Sequence, residues 1–174
     1  MGYRDMLLYG TQYEGNSMRG QLGVEVEPYE MLEMVRAIDT LEAELLLAQC
    51  VLCKPYDGQV GEVLEFARRL IRCDVLDEQV GDEKLCGLTA EELRTRSHRP
   101  QEFYGQPHFM PAAGDGEGIL RVNRARCAAR AAELSAVAAF SDREGNPTRP
   151  DILKALNRLS SMLYIIMIQL KAGK

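Results

Sequence analysis

Residues 149–170 read RPDILKALNRLSSMLYIIMIQL, and their periodicity is that of a helix inside a bundle. Pro150 suits a first helical position, because the N–H it lacks is one that a helix start leaves unpaired anyway. Behind it, Leu153, Leu156, Leu163, Ile166 and Leu170 recur at helical spacing and make a core stripe. Asn157, Ser160 and Tyr164 form a polar edge beside that stripe. A helix with one apolar face and one polar edge finds its burial against other helices.

The same period recurs upstream. Behind Pro28, the residues Met34, Ile38, Leu41, Leu45, Ala48 and Leu52 alternate at spacings of four and three, until Lys54-Pro55 and the turn Asp57-Gly58 stop them. A second helix is predicted from about Gln59 to Glu78, with Val60, Leu64, Ala67 and Ile71 on one stripe. Asp74 and Glu78 occupy its next positions. Either the helix has left the core there, or Asp74 is buried and partnered, since an unpaired buried charge is costly.

From Ile119 to Phe140 the chain is dense in alanine. Val122, Arg126, Arg130, Glu133, Val137 and Phe140 share one face. Ala125, Ala128, Ala129, Ala132 and Ala136 let neighbouring helices approach closely. Thr89-x-x-Glu92 is a capping box that opens a short helix, fading before Pro100. Residues 97–118 read as one long loop and 141–149 as a connector. Four long helices and one short one predict an all-α, five-helix antiparallel bundle over residues 27–174, behind a loop-like segment at 1–26.

Composition agrees. With no Trp, four Phe and much Leu, Ala and Met, the chain favours helix packing over a sheet. A net charge of −5 speaks against a broad nucleic-acid surface, which needs clustered cations. The apolar runs are too short to span a membrane, and the opening residues carry no secretory pattern. Five cysteines, an odd number, then point to reduced thiols in a cytoplasmic chain. Cys50-x-x-Cys53 has no second pair, and both histidines lie far downstream. It is read as packing thiols at the end of an apolar helix, so no metal held by Cys or His is expected.

There is no Walker loop, nucleophile elbow or His-rich metal helix. What remains are polar groups on helix faces. Arg126 and Arg130, one turn apart, have the paired donors of a polyphosphate clamp, and Glu133 one turn on can hold a Mg²⁺ water or an Arg rotamer. The same residues equally make an Arg–Glu pair on a solvated face, which spacing alone favours. Asn157 has poor helix propensity and suits either a core hydrogen bond or a ligand. Asp39 is an exposed charge or half of an ion pair.

The segment 149–161, RPDILKALNRLSS, resembles the closing helix of the corrinoid adenosyltransferases of ethanolamine utilisation, which are related to those of propanediol utilisation. Four more segments resemble that family in order. They are Ala37-Ile38-Asp39-Thr40-Leu41, Asp74-Val75-Leu76-Asp77, Phe109-Met110-Pro111 and Arg126-Cys-Ala-Ala-Arg130-Ala-Ala-Glu133. Gly87-Leu88-Thr89 and Ser97-His98-Arg99-Pro100 are similar to the ethanolamine branch. The match spans roughly residues 30–168.

The resemblance implies ATP and cob(I)alamin as substrates, Mg²⁺ as cofactor, and a homotrimer with active sites between subunits. It implies catalytic roles for Arg130 and Asn157, and ATP contacts from Arg126, Arg130, Glu133 and Asn157. An inter-subunit ion pair joins Asp39 to Arg126, with Arg124 as the alternative. Asp74 joins a buried polar set, and Phe103, Tyr104 and Phe109 face the corrin. A corrinoid reductase and an adenosylcobalamin-dependent lyase or dehydratase are the implied partners, in the cytoplasm or a bacterial microcompartment. Three departures stand out. Ala131 and Ser161 replace an Arg and an acidic residue, Gly10–Gly15 is a degenerate form of a phosphate-contacting segment, and a His/Cys metal motif is absent. They leave a corrinoid carrier with weakened ATP chemistry as the alternative.

Overall fold

The computed structural model describes residues 28–173, so the reading of residues 1–26 lies outside the described residues. Six α-helices are present among them: α1 (Pro28–Val51), α2 (Tyr56–Val75), α3 (Ala90–His98), α4 (Pro100–Tyr104), α5 (Glu117–Ala139) and α6 (Pro150–Lys171). A 3₁₀ turn, Ala113–Asp115, precedes α5. The four long helices make the bundle, and none is long and apolar enough to cross a membrane.

Neighbouring long helices run antiparallel. Glu42 meets Arg68 and Gln49 reaches Gly61 between α1 and α2. Glu44 meets Arg124 and Leu52 reaches Gly118 between α1 and α5. Glu133 meets Asn157 between α5 and α6. The short α3 lies against α6. The predicted all-α bundle is the observed one.

The core is built from the predicted stripes, with two shifts. On α6 burial wraps most of the way round, taking in Ile152, Ala155, Leu159, Met162, Ile165 and Met167. A helix packed by α2, α3 and α5 at once needs apolar residues on every such side. On α5 the buried line is Ile119, Val122, Ala125, Ala129, Ala132 and Ala136. The stripe of Arg126, Arg130 and Glu133 therefore runs along the edge of the packed face, with only its ends, Val122 and Phe140, in the core.

Helix boundaries follow from local chemistry. α2 starts three residues earlier than predicted, at Tyr56, and stops at Val75. Asp77 takes the left-handed conformation at φ 53°, which Asp tolerates better than most residues. Its N–H then reaches the Asp74 carbonyl at 3.2 Å and the Glu78 N–H reaches Cys73 at 2.8 Å. This Schellman closure satisfies the orphan carbonyls and ends the helix. α3 opens on the predicted capping box, Thr89 and Glu92 each accepting the other's backbone N–H. The stretch read as one long loop contains α4, because Pro100 and Tyr104 find burial and Gly105, at φ 68°, stops the turn.

Candidate functional site

The seam between α5 and α6 gathers the polar residues singled out above. Asn157 donates from Nδ2 to Glu133 Oε1 at 3.1 Å, joining the two helices across their exposed edge. Arg130, one turn before Glu133, is exposed and makes no ion pair with the described residues. Arg126, one further turn back, is half-buried. Its Nε and Nη2 both lie 3.1 Å from Asn123 Oδ1, a fork grip that orients the guanidinium. The cation also acts on Tyr164 of α6, whose hydroxyl burial pushes up from its ordinary value and Arg126 pulls back. Asn123 was not signalled by the sequence, because an Asn next to an apolar stripe looks like any solvated position.

The α1 side is arranged differently. Asp39 is exposed on α1. Arg124, the alternative partner for it, is taken within the chain, with Nε and Nη2 at 2.9 and 2.7 Å from Oε1 of the buried Glu44. Arg126, by contrast, has no ion pair among the described residues.

Asp74 is buried at the end of α2, and its charge is felt by Arg149 at the start of α6. Arg149 is buried too. It grips Asp151 with two bonds of 3.0 and 2.9 Å, donates to the Glu78 carbonyl at 2.6 Å and lies 3.5 Å from Asp77. Asp151 in turn accepts the Val80 N–H at 2.9 Å. Burial opposes both charges. The hydrogen bonds and the surrounding carboxylates outweigh it, raising Arg149 and lowering Asp151 from their ordinary values. Farther along, buried Arg158 bonds Asp82 at 2.8 Å. These are closing bonds of the bundle, and they absorb Asp74, Asp77, Arg149 and Arg158 into the fold.

The three aromatic residues expected to face a corrin do not converge. Phe103 is exposed beneath Arg96, 5.2 Å from its ring centre, beside a depression of about 230 Å³ on α3. Tyr104 is only 7% exposed and belongs to the core, so its place on a ligand-facing surface is corrected. Phe109 lies beside the end of α6, with Lys171 Nζ 5.5 Å from its ring centre.

The cysteine reading is corrected as well. Cys50 and Cys53 are exposed free thiols, as is Cys127. The core stripe of α1 ends on Leu45 and Ala48, and Cys50 falls on the far side of the last turn. Cys73 is the buried thiol, and half-buried Cys86 packs against the core, its pKa pushed up to about 12 by burial and by Glu62. Among the described residues no group of three or more His, Cys, Asp or Glu is placed to hold a metal ion.

A groove of about 510 Å³ lies on the outer side of α2, lined by Arg68, Arg69, Arg72, Glu62, Glu65 and Glu83. Its three arginines each face an acid: Arg68 is held by Glu42 and Glu65, Arg69 by Glu83, and Arg72 lies 3.9 Å from Glu78. At the seam, Arg130 has no ion pair among the described residues.

The family model described as cobalamin adenosyltransferase matches residues 6–170. The chain is similar to the corrinoid adenosyltransferase EutT of Salmonella typhimurium, 33% identical over 132 residues, covering 76% of this chain and 49% of that protein. It is equally similar to EutT of Escherichia coli, 33% identical over 131 residues, covering 75% of this chain and 49% of that one. The chain thus spans about half the length of these relatives. No solved structure matches.

Proposed function

The chain belongs to the cobalamin adenosyltransferase family, and from that premise we propose that it transfers the 5′-deoxyadenosyl group of ATP to the cobalt of cob(I)alamin. The products are adenosylcobalamin and triphosphate. The observation that carries this reading is the bond between Asn157 and Glu133, one turn from the exposed Arg130, which joins two motif segments far apart in sequence into one polar edge.

Co(I) attacks C5′ of ATP, the C5′–O bond breaks, and the electron pair leaves with triphosphate. No proton has to move. The protein's work is then positioning, exclusion of water and stabilisation of charge on the leaving group. Arg130 offers paired donors to the triphosphate as that charge grows, and Arg126, oriented by Asn123, supports it from the next turn. Asn157, with one amide proton committed to Glu133, presents its carbonyl oxygen and second proton to the nucleotide. Glu133 keeps its second oxygen clear of that bond. One carboxylate fits Mg²⁺, which takes few protein ligands and several waters or phosphate oxygens and would neutralise the leaving triphosphate.

Assembly belongs to the same proposal. Three copies place Asp39 of one against Arg126 of the next, so that ATP lies between subunits. Leu46, Leu47 and Val51 on α1 and Leu134 and Val137 on α5 are exposed apolar residues that such an assembly covers. A corrinoid reductase supplies Co(I), and an adenosylcobalamin-dependent lyase or dehydratase uses the product, in the cytoplasm or a microcompartment.

The test is anaerobic turnover of chemically reduced cob(I)alamin with ATP and Mg²⁺, followed by loss of the Co(I) absorbance. Wild-type turnover that Arg130→Ala reduces about 10²- to 10³-fold is expected, the usual cost of one preorganised transition-state donor. Tight corrinoid binding without turnover favours the carrier reading, which the exposed Ala131 in place of a second arginine supports.

A further inference from the structure

We infer that Tyr164 and His108 form a positioning clasp that sets the loop carrying Phe109 and Met110 against the corrin, an inference that rests on the corrinoid reading above. The loop between α4 and α5 is held at three points, two on the C-terminal half of α6 and one at the end of α3. The first is the Tyr164 hydroxyl, 2.8 Å from His108 Nδ1, with the two rings stacked at 5.7 Å and 15°. The second is His108 Nε2, 3.2 Å from the carbonyl of His98 at the end of α3. The third is Lys171, which pairs with Asp115 and lies over the Phe109 ring, while Asp115 accepts the Ala112 N–H at 2.7 Å.

These bonds have one direction. The His98 carbonyl is among the last four of its helix, which have no partner within it, and a carbonyl can only accept. Nε2 therefore carries the proton, and Nδ1 accepts from the Tyr164 hydroxyl. The Phe109 backbone also acts on the phenol, easing the rise that burial imposes on it. A single hydroxyl thus fixes the imidazole of the residue next to Phe109. Phe109 is drawn down against the core, and Met110 beside it is left 89% exposed. A large soft side chain held outward beside a pinned aromatic ring suits a broad, mostly apolar ligand face.

His108 is exposed, so the hydrogen-bond chain contributes little to stability; what it fixes is position. The clasp also touches the nucleotide side, because the Arg126 charge acts on Tyr164. Tyr164 and His108 are positioning residues, acting through Phe109 and Met110.

Tyr164→Phe keeps the ring stack and removes the hydroxyl. The expected result is a KM for cob(I)alamin raised about five- to tenfold, the scale of one lost hydrogen bond, with the KM for ATP within about twofold. Binding of cob(II)alamin, followed by quenching of tyrosine emission, weakens by the same factor and needs no turnover. His108→Ala behaves like Tyr164→Phe. His108→Asn, whose amide oxygen stands near the Nδ1 position, recovers part of the loss. An ATP KM that rises with the corrin KM overturns the clasp, as does an Asn variant no better than Ala. Wild-type turnover with unchanged cob(II)alamin affinity in Tyr164→Phe overturns the clasp and leaves the transferase reading standing. Wild-type binding without turnover, with affinity lost in Tyr164→Phe, overturns the transferase reading and supports the clasp. Wild-type protein that binds no cob(II)alamin overturns both.

Discussion

Two arginines on neighbouring long helices have opposite surroundings. Arg149, at the start of α6, is buried and bonded to Asp151 and the Glu78 carbonyl, with Asp74 and Asp77 close by. Arg130, in the middle of α5, is exposed and has no acid among the described residues. Both lie in segments that resemble family motifs, so motif membership does not distinguish them. Their surroundings do. A cation whose donors are already used closes the fold, and a cation held without a partner on a rigid helix is available for a ligand.

The largest effect that can break this contrast is on stability. Arg149→Ala removes the buried cation beside half-buried Asp151 and buried Asp74 and should cost about 3 to 5 kcal/mol in urea unfolding. A loss under about 1 kcal/mol would mean that the α2–α6 end is held by apolar contacts alone. Arg130→Ala should show the reverse pattern. Its unfolding free energy stays within about 0.5 kcal/mol of wild type while turnover collapses, because nothing in the fold depends on it. If both properties fall together, the two arginines are not different in kind.

Acid sharpens the comparison more gently. Asp151 is held below the ordinary carboxylate range against its burial, by Arg149 and the Val80 N–H, and Asp82 by Arg158 and Lys154. A carboxylate with a depressed folded value contributes stability above its unfolded value, near pH 4, and loses it as pH falls through the folded value. The urea midpoint should therefore drop from about pH 5 downward. In Arg149→Ala the drop should be shallower, since the partner that depresses Asp151 is gone. Equal slopes in the two proteins would remove Asp151 as the source.

Much of the fold was legible because helical period is a local property. The α6 stripe, the alternating threes and fours of α1 and the Thr89–Glu92 box all declare themselves within a few residues. The site was legible only in part. Arg126, Arg130 and Glu133 could be seen on one face, but whether that face was solvated depended on which side of α5 its alanines buried. Asn157 meets Glu133 from 24 positions away, and Arg149 meets Glu78 from 71, so no local pattern announces either bond. Tyr104 and Phe103 are adjacent in sequence and point into different surroundings, one core and one solvent, because α4 turns them apart. Phe109 is set beside α6 by its neighbour His108, which meets Tyr164, and by Lys171 over its ring.

The cysteines give the smallest expected effect and the most direct check on exposure as a guide to role. Cys50 and Cys53 flank the end of α1, where an apolar helix would ordinarily bury them, yet both thiols face outward. Cys73 is buried on α2 and touched by the field of Arg149 and Asp151. Serine at 50 or 53 replaces one exposed small group by another and should shift unfolding by no more than about 0.5 kcal/mol. Serine at 73 places a hydroxyl in an apolar site and should cost about 1 to 3 kcal/mol. If Cys50→Ser were as damaging as Cys73→Ser, the exposed end of α1 would be covered in the working protein. The α1 surface carrying Leu46, Leu47 and Val51 would then be the first place to look for the neighbouring subunit.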